Sequence, residues 1–223
     1  MTSKQLIVMI AGETSGDLLG AGLIRALRCH LPDARFEGIG GPSMEAEGLN
    51  SLVPMEQLAV MGLAEVLSRL PQLLLLRWRL WRRYLRRPPT AFIGIDAPDF
   101  NLPLEIKIKS LGVATVHYVS PSIWAWRPKR VFTVAKACHR VLTLLPFETP
   151  YYTRHNIPAT FVGHPLADIL NQPMDKSVAR RRLGLAEAPT LALLPGSRAK
   201  EIHYLAPDFL VTARLLQSRH PHL

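Results

Sequence analysis

Apolar residues gather in short unbroken runs at Leu6–Ala11, Phe36–Ile39, Ala91–Ile95, Val113–Val119, Val141–Leu145 and Phe161–Val162. Between them, apolar positions recur at helical spacing over Leu18–Leu27, around Met44, and over Asn101–Leu111, Val131–Cys138 and Tyr151–His155. A run of strand length with no polar alternation reads as a strand covered on both faces, and strands alternating with helices give parallel βα units. The pattern therefore predicts an α/β fold, a Rossmann-like parallel sheet flanked by helices. Gly, Pro and Asp cluster where these strands end, in Gly12–Asp17, Gly40-Gly41-Pro42, Asp96–Asp99 and Ser120-Pro121-Ser122. In an open α/β sheet, loops at the carboxyl ends of the strands form the ligand crevice.

The texture changes after Gly163-His164-Pro165. A polar stretch with Pro173 leads to the basic segment Ala179–Leu183, and a fresh strand is expected at Thr190–Leu194, followed by a helix over about Leu205–Ser218. The boundaries read from this are an N-terminal Rossmann-like domain at 1–165, a linker at 166–188, and the start of a second Rossmann-like domain at 189–223. One βα unit cannot close a core, so the expectation is a partial two-domain protein. At 223 residues the length is itself about one and a half domains.

Composition narrows the class. With 48% hydrophobic residues and two cysteines, the chain can bury a core without disulfides, and Cys29 and Cys138 read as buried fillers in a reducing cytosol. No stretch is long and apolar enough to span a bilayer, because the run Leu73–Leu76 meets Arg77, and the start of the chain has no secretory pattern. The 27 Lys+Arg against 17 Asp+Glu, a net charge of +10, call for an anionic partner: nucleic acid, a phosphorylated small molecule or acidic lipid. The eight His residues show no ligand spacing, so neither a metal nor another cofactor is expected.

Candidate chemistry sits in the loops. Gly94–Asn101 puts Asp96 at the end of a central strand that Pro98 stops. A carboxylate there, ionised near neutral pH, suits a general base taking a proton from an attacking hydroxyl, and Asp99 suits the cap of the next helix. In Gly12–Asp17, Thr14 and Asp17 fit a capping box, which leaves Glu13 and Ser15 to face substrate hydroxyls or amides; a plain capped turn is the other reading. Tyr118–Arg130 carries Trp124 and Trp126 followed by Arg127, Lys129 and Arg130; aromatic faces suit sugar rings or acyl chains, and the cations suit phosphate. A loop merely packed by Trp124 is the alternative. Gly196, Ser197 and Arg198, between a strand and a helix, suit a diphosphate, with Gly196 admitting close approach and Arg198 pairing bidentately.

The segment Pro71–Arg87 reads as a basic amphipathic helix. At about 100° per residue, Leu73, Leu74, Trp78, Leu80, Trp81, Tyr84 and Leu85 share one broad arc, with Arg79, Arg82, Arg83 and Arg86 opposite. Such a helix suits the headgroup layer of an anionic bilayer, with Trp78, Trp81, Arg82, Arg83 and Tyr84 as its contacts. Helices that only cover a sheet share the pattern. Concentration of Arg on one amphipathic helix favours lipid over nucleic acid as the partner.

Together, Ala11–Asp17 with Leu19–Ile24, Gly94–Asn101, His117–Arg127 with Trp-Ala-Trp, Gly163-His164-Pro165 and Leu193–Arg198 resemble the lipid-A-disaccharide synthase family, in order and over nearly the whole chain. The resemblance implies an inverting, metal-independent glycosyltransferase of the two-Rossmann-domain GT-B type. It would join UDP-2,3-diacylglucosamine to 2,3-diacylglucosamine 1-phosphate through a β-1,6 linkage and release UDP. Asp96 would be the base on the acceptor 6-hydroxyl, Glu13 and Ser15 would lie near the reacting sugars, and Arg198 would assist the diphosphate. It further implies a peripheral protein on the cytoplasmic face of the inner membrane of a Gram-negative bacterium, with a homodimer in the complete protein. Most of the family's carboxyl-terminal domain is missing from this sequence, so the 223-residue chain is expected to be inactive alone. The rival readings are another GT-B nucleotide-sugar enzyme with a lipid-linked acceptor, a sugar epimerase, and a non-catalytic basic membrane-surface module.

Overall fold

The computed structural model describes residues 5–58, 63–125, 128–171, 175–196 and 199–223, with backbone alone for 63–68. The chain divides into two compact units, 1–168 and 169–223.

The first unit carries seven parallel strands, β1 (Leu6–Ala11), β2 (Arg35–Ile39), β3 (Leu49–Ser51), β4 (Ala91–Ile95), β5 (Ala114–Tyr118), β6 (Arg140–Thr143) and β7 (Ala159–Phe161), in the order β3-β2-β1-β4-β5-β6-β7. β1 is buried along its whole length, as its unbroken apolar run requires. Leu6, Val8 and Ile10 enter one core layer with Phe92, while Ile7, Met9 and Ala11 enter the opposite layer with Ile93 and Ile95. Two-residue periodicity thus sorts one apolar strand onto two helical layers. The helices are α1 (Thr14–His30), α2 (Pro42–Ala46), α3 (Leu63–Arg86), α4 (Pro98–Lys109), α5 (Arg130–Ala137) and α6 (Glu148–Thr153), with a single 3₁₀ turn at Met55–Gln57. β3, too short and too polar to show in the hydrophobic pattern, pairs with β2 at one edge of the sheet.

α3 corrects the single-faced membrane helix. It begins at Leu63 and carries Pro71 within it. Leu76, Leu80 and Tyr84 are buried in the core, and Leu73 and Trp81 pack against it. Tyr84 is 1% exposed and so is no membrane contact. Trp81 lies half-buried under the Lys107 ammonium, 4.7 Å from the ring centre. Arg83 is turned to Glu37 in a bidentate pair, with N–O distances of 2.8 and 2.7 Å. The exposed apolar residues form a separate stripe, Leu70, Leu74, Leu75, Trp78 and Leu85, with the Arg82 guanidinium stacked 4.8 Å from the Trp78 ring centre. The arc seen in the sequence was broad because it held two faces, one that covers the sheet and one that does not.

α1 brings a second correction. Asp17 does not belong to a capping box with Thr14: the cap position is Glu13, with no side-chain cap, and Thr14 is exposed. Asp17 is 1% exposed and accepts hydrogen bonds from the backbone N–H groups of Gly41 (2.8 Å), Ser43 (2.9 Å) and Met44 (3.0 Å), so it caps α2 across space.

In the second unit, α8 (Lys176–Leu183) is capped by Asp175 and closed by Gly184, and α9 runs Ala199–Arg219; α7 (Pro165–Leu170) straddles the division. Helices α7 and α8 thus occupy much of the expected linker. Thr190–Leu194 does not form a strand, because no described strand lies beside it to supply ladder hydrogen bonds. Cys138 is buried as expected, whereas Cys29 is exposed on the last turn of α1.

Candidate functional site

The sheet reverses its winding between β1 and β4, which pair directly, with β2 and β3 to one side and β5 to β7 to the other. The loops leaving these two strands are Gly12–Glu13 and Asp96–Ala97, and at such a reversal they part to leave a crevice. They lie close: a Cβ on Gly12 would stand 3.1 Å from Cβ of Ala97.

Asp96 (φ 50°) and Ala97 (φ 44°) are consecutive left-handed residues without a glycine, and Val119, leaving β5, has φ 77°. Each such residue costs on the order of 1–3 kcal/mol, and for a β-branched Val the conformation is an outlier. The turn is pinned from three directions. Asp96 N–H donates to Tyr118 O at 2.8 Å, the Asn101 amide donates to Asp96 O at 2.8 Å, and Phe100 and Asn101 N–H bond back to Ala97 O. Asp96, Val119, Ser120 and Arg130 line one cavity of about 330 Å³ at this edge of the sheet. Strain held so firmly beside a cavity makes this turn the candidate site.

Burial holds the Asp96 carboxyl above the usual carboxylate range, the Glu13 charge adds to the rise, and the backbone N–H of Ala97 and the His117 charge oppose it. Glu13 is half-buried and Ser15 exposed at the start of α1. α4 begins at Pro98, earlier than expected, with Ala97 as its cap, so Asp99 sits inside the first turn and forms an ion pair with Arg130 instead of capping. Arg130, with a side chain only 15% exposed, is a cavity-lining cation that the sequence reading left among neighbouring basic residues. Its signal was position: it opens α5, where a cation opposes the helix dipole unless an acid lies opposite.

Beneath the turn lies a polar layer that sequence reasoning missed. Glu105 and His117 are wholly buried, with Oε1 and Nδ1 2.7 Å apart, and Asn101, also wholly buried, donates to Ile10 O at 3.2 Å as well as to Asp96 O. The available signal was the spacing of Asn101 and Glu105, one helical turn apart on the apolar side of α4, together with a His in an apolar strand.

Trp124 does not line the Asp96 cavity. It stands edge-on to Phe147 at 5.0 Å, and its indole N–H points to Glu148 at 3.4 Å. Gly196 has φ 131°, and the Glu201 side chain packs against it where a Cβ would lie 2.6 Å from Oε2. Arg127, Ser197 and Arg198 lie outside the described residues. Among the described residues, no group of three or more His, Cys, Asp or Glu side chains is placed to hold a metal ion.

A doubly wound parallel sheet with a strained, carboxylate-bearing turn at its switch point defines a Rossmann-like domain with its crevice at the carboxyl edge of the sheet. A solved structure of UDP-GlcNAc 2-epimerase from Neisseria meningitidis shares that fold, with a TM-score of 0.51 at 10% identity over 82% of this chain and 50% of that one. The family model for lipid-A-disaccharide synthetase matches residues 7–223, and the chain belongs to that family. A lipid-A-disaccharide synthase of Serratia proteamaculans is 56% identical over all of this chain and 59% of its own length. One of Salmonella paratyphi B is 54% identical over 97% of this chain and 57% of its own length. The chain thus spans less than two thirds of these relatives.

Proposed function

We propose that this chain provides the acceptor side, and the start of the donor side, of an inverting glycosyltransferase that joins UDP-2,3-diacylglucosamine to 2,3-diacylglucosamine 1-phosphate. In the reaction the acceptor 6-hydroxyl oxygen bonds to the donor's anomeric carbon as the bond to the diphosphate breaks. The electron pair leaves with UDP, and the hydroxyl proton passes to Asp96 and then to solvent. The observation that carries this reading is the Asp96 carboxyl, raised in pKa by burial on a strained turn beside an open cavity. Glu13, close enough to raise Asp96 further, strengthens it as a base, and with Ser15 would face the sugars. Gly196, Ser197, Arg198, Arg127 and Trp124 are assigned to the donor's diphosphate and to sugar or acyl contacts, and the chemistry invokes no metal.

The test is a chimera in which this chain replaces the matching part of the Serratia proteamaculans relative. Asp96→Asn should lower turnover by about 10²-fold or more with little change in donor KM. Near-normal turnover would remove Asp96 from the chemistry.

The acyl chains of both substrates call for work at a lipid surface, and we assign α3 to an anionic one, on the cytoplasmic face of the inner membrane. The exposed stripe from Leu70 to Leu85 supports this, as does a cavity of about 490 Å³ at the end of α3 lined by Arg79, Arg82, Arg86 and Arg87 beside Trp78. Seven basic residues fall between Arg69 and Arg87. Among the described residues, no helix is long and apolar enough to cross a membrane. A homodimer completes the reading. Co-sedimentation with vesicles containing phosphatidylglycerol, lost in Leu74→Ser/Trp78→Ser, tests the surface; equal binding by that variant would discard it.

A further inference from the structure

Glu105 and His117 form an isolated polar pair in an apolar interior. Both side chains are 0% exposed, and Glu105 Oε2, His117 Nε2 and Asn101 Oδ1 are buried without a hydrogen-bond partner. Three such atoms in one cluster form a costly arrangement that a well-packed apolar core would avoid. The cluster sits directly under the strand that delivers Asp96. In the β4–β5 register, His117 lies opposite Gly94, two residues before Asp96. Asn101 and Glu105, four apart on α4, lie over Gly94 itself: a Cβ there would be 2.0 Å from Glu105 Oε1 and 3.0 Å from Asn101 Cβ. Gly94 is therefore glycine to admit these two polar side chains against the strand. The contacts then continue upward, through the Asn101 amide to Asp96 O and through Tyr118, the residue after His117, whose carbonyl accepts from Asp96 N–H.

We propose that Glu105 and His117, acting with Asn101, are positioning residues for Asp96: the buried pair locks α4, β4 and β5 together under the left-handed turn, so that the carboxylate is held toward the cavity. The proposal rests on the reading of Asp96 as the base. Its geometric content stands apart from that reading and is tested apart from it.

The groups facing Asp96 are Glu13 from the start of α1 and His117 from β5, while Asp99 of α4 and Arg130 of α5 line the same cavity as an ion pair. Of these, His117 lowers the carboxyl and Glu13 raises it. In the 223-residue chain, the Asp96 carboxyl is followed by carbon NMR across pH. His117→Gln should move its midpoint upward, and the Ala97 and Asn101 amide signals should shift with it. A lone buried carboxylate is strongly destabilising, so the second variant is Glu105→Leu/His117→Phe, which removes both polar partners together and keeps the volume. That variant should stay folded, and in the chimera it should lose about 10²-fold in kcat with KM within about twofold.

An unchanged Asp96 midpoint and unchanged Ala97 amide in both variants would overturn the proposal, as would full kcat in the double variant when Asp96→Asn itself loses turnover: the pair would then be a packing feature alone. If Asp96→Asn keeps its turnover while the midpoint still moves in His117→Gln, the positioning stands and the base assignment falls.

Discussion

Asp17 of α1 caps α2, so its replacement perturbs the junction of the two helices. Its carboxylate meets three backbone N–H groups of another helix's first turn, two of them buried, and is itself inaccessible to water. Asp17→Ala leaves the donors of Gly41 and Met44 buried and unpaired, at about 1–3 kcal/mol each, while the half-buried donor of Ser43 recovers part of its loss from water. The expected cost is about 3–5 kcal/mol, a large share of the stability of an ordinary domain. Asp17→Asn keeps one oxygen for two of the donors but sets an amide NH₂ against the third, for about 1–2 kcal/mol. Thr14→Ala should fall within about 0.5 kcal/mol, because the Thr14 side chain is exposed and caps nothing. Urea unfolding followed by tryptophan fluorescence reads the first unit by itself, since all four Trp lie between residues 78 and 126. A capping box within α1 would make Thr14→Ala and Asp17→Ala comparably costly at about 1 kcal/mol, and that result would refute the cross-helix cap.

Three further outcomes follow from the same geometry. Tyr84→Ala should destabilise the first unit by about 3–5 kcal/mol in the same urea assay, whereas Trp78→Ser should stay within about 1 kcal/mol; the reverse order would return Tyr84 to the surface. Arg83 holds the Glu37 carboxyl below its usual range chiefly by hydrogen bonding, so the folded state binds fewer protons there than the unfolded chain. The stability gap between wild type and Arg83→Gln, about 0.5–1 kcal/mol for a half-exposed pair, should be constant above about pH 5 and close in acid as Glu37 protonates; a gap that persists there would deny the ion pair its role. For Asp96 the sign is opposite: burial raises its carboxyl, the folded state holds the proton longer, and stability falls as pH rises from the usual aspartate range through the raised value. Asp96→Asn should therefore gain on wild type as pH rises and level off once the pH has passed the raised value, a gain whose absence in pH-resolved unfolding would show the carboxyl to be freely solvated.

The alternation of apolar runs with helical segments made the parallel sheet legible, because a central strand such as Leu6–Ala11 must be apolar on both faces and nothing else of that length is. What escaped was anything decided by a partner distant in sequence. Asp17 carries the local signature of a capping residue, and only the arrival of α2 turns it outward from its own helix. On α3 the helical arc could be drawn, but its two halves could not be told apart, since Leu80 and Leu74 differ only in what stands opposite them. Asp96 was legible because a Pro two residues later and a strand-end position restrict where it can go. Arg130, Glu105 and His117 were not, because each takes its meaning from another loop. At Thr190–Leu194 the pattern asked for a strand, and a strand is a property of two segments.

The costs in the first unit are not spread evenly. Asp96, Ala97 and Val119 take left-handed backbone, the Asp96 carboxyl is held where its charge is disfavoured, and the orphaned atoms of Asn101, Glu105 and His117 lie directly below. Away from that edge, β1 packs apolar on both faces and Asp17 is fully satisfied, and the exceptions among the described residues are the left-handed Asn156 and the buried Tyr84 hydroxyl. A sequence selected for stability alone would remove these costs with ordinary substitutions: Gly at 97, an apolar pair at 105 and 117, Asn at 96. Their gathering around the place where the winding of the sheet reverses, and at the end of the neighbouring β5, is what a site needs if a carboxylate must be both basic and fixed in direction, since relaxing the turn would free its direction and solvating it would weaken it as a base.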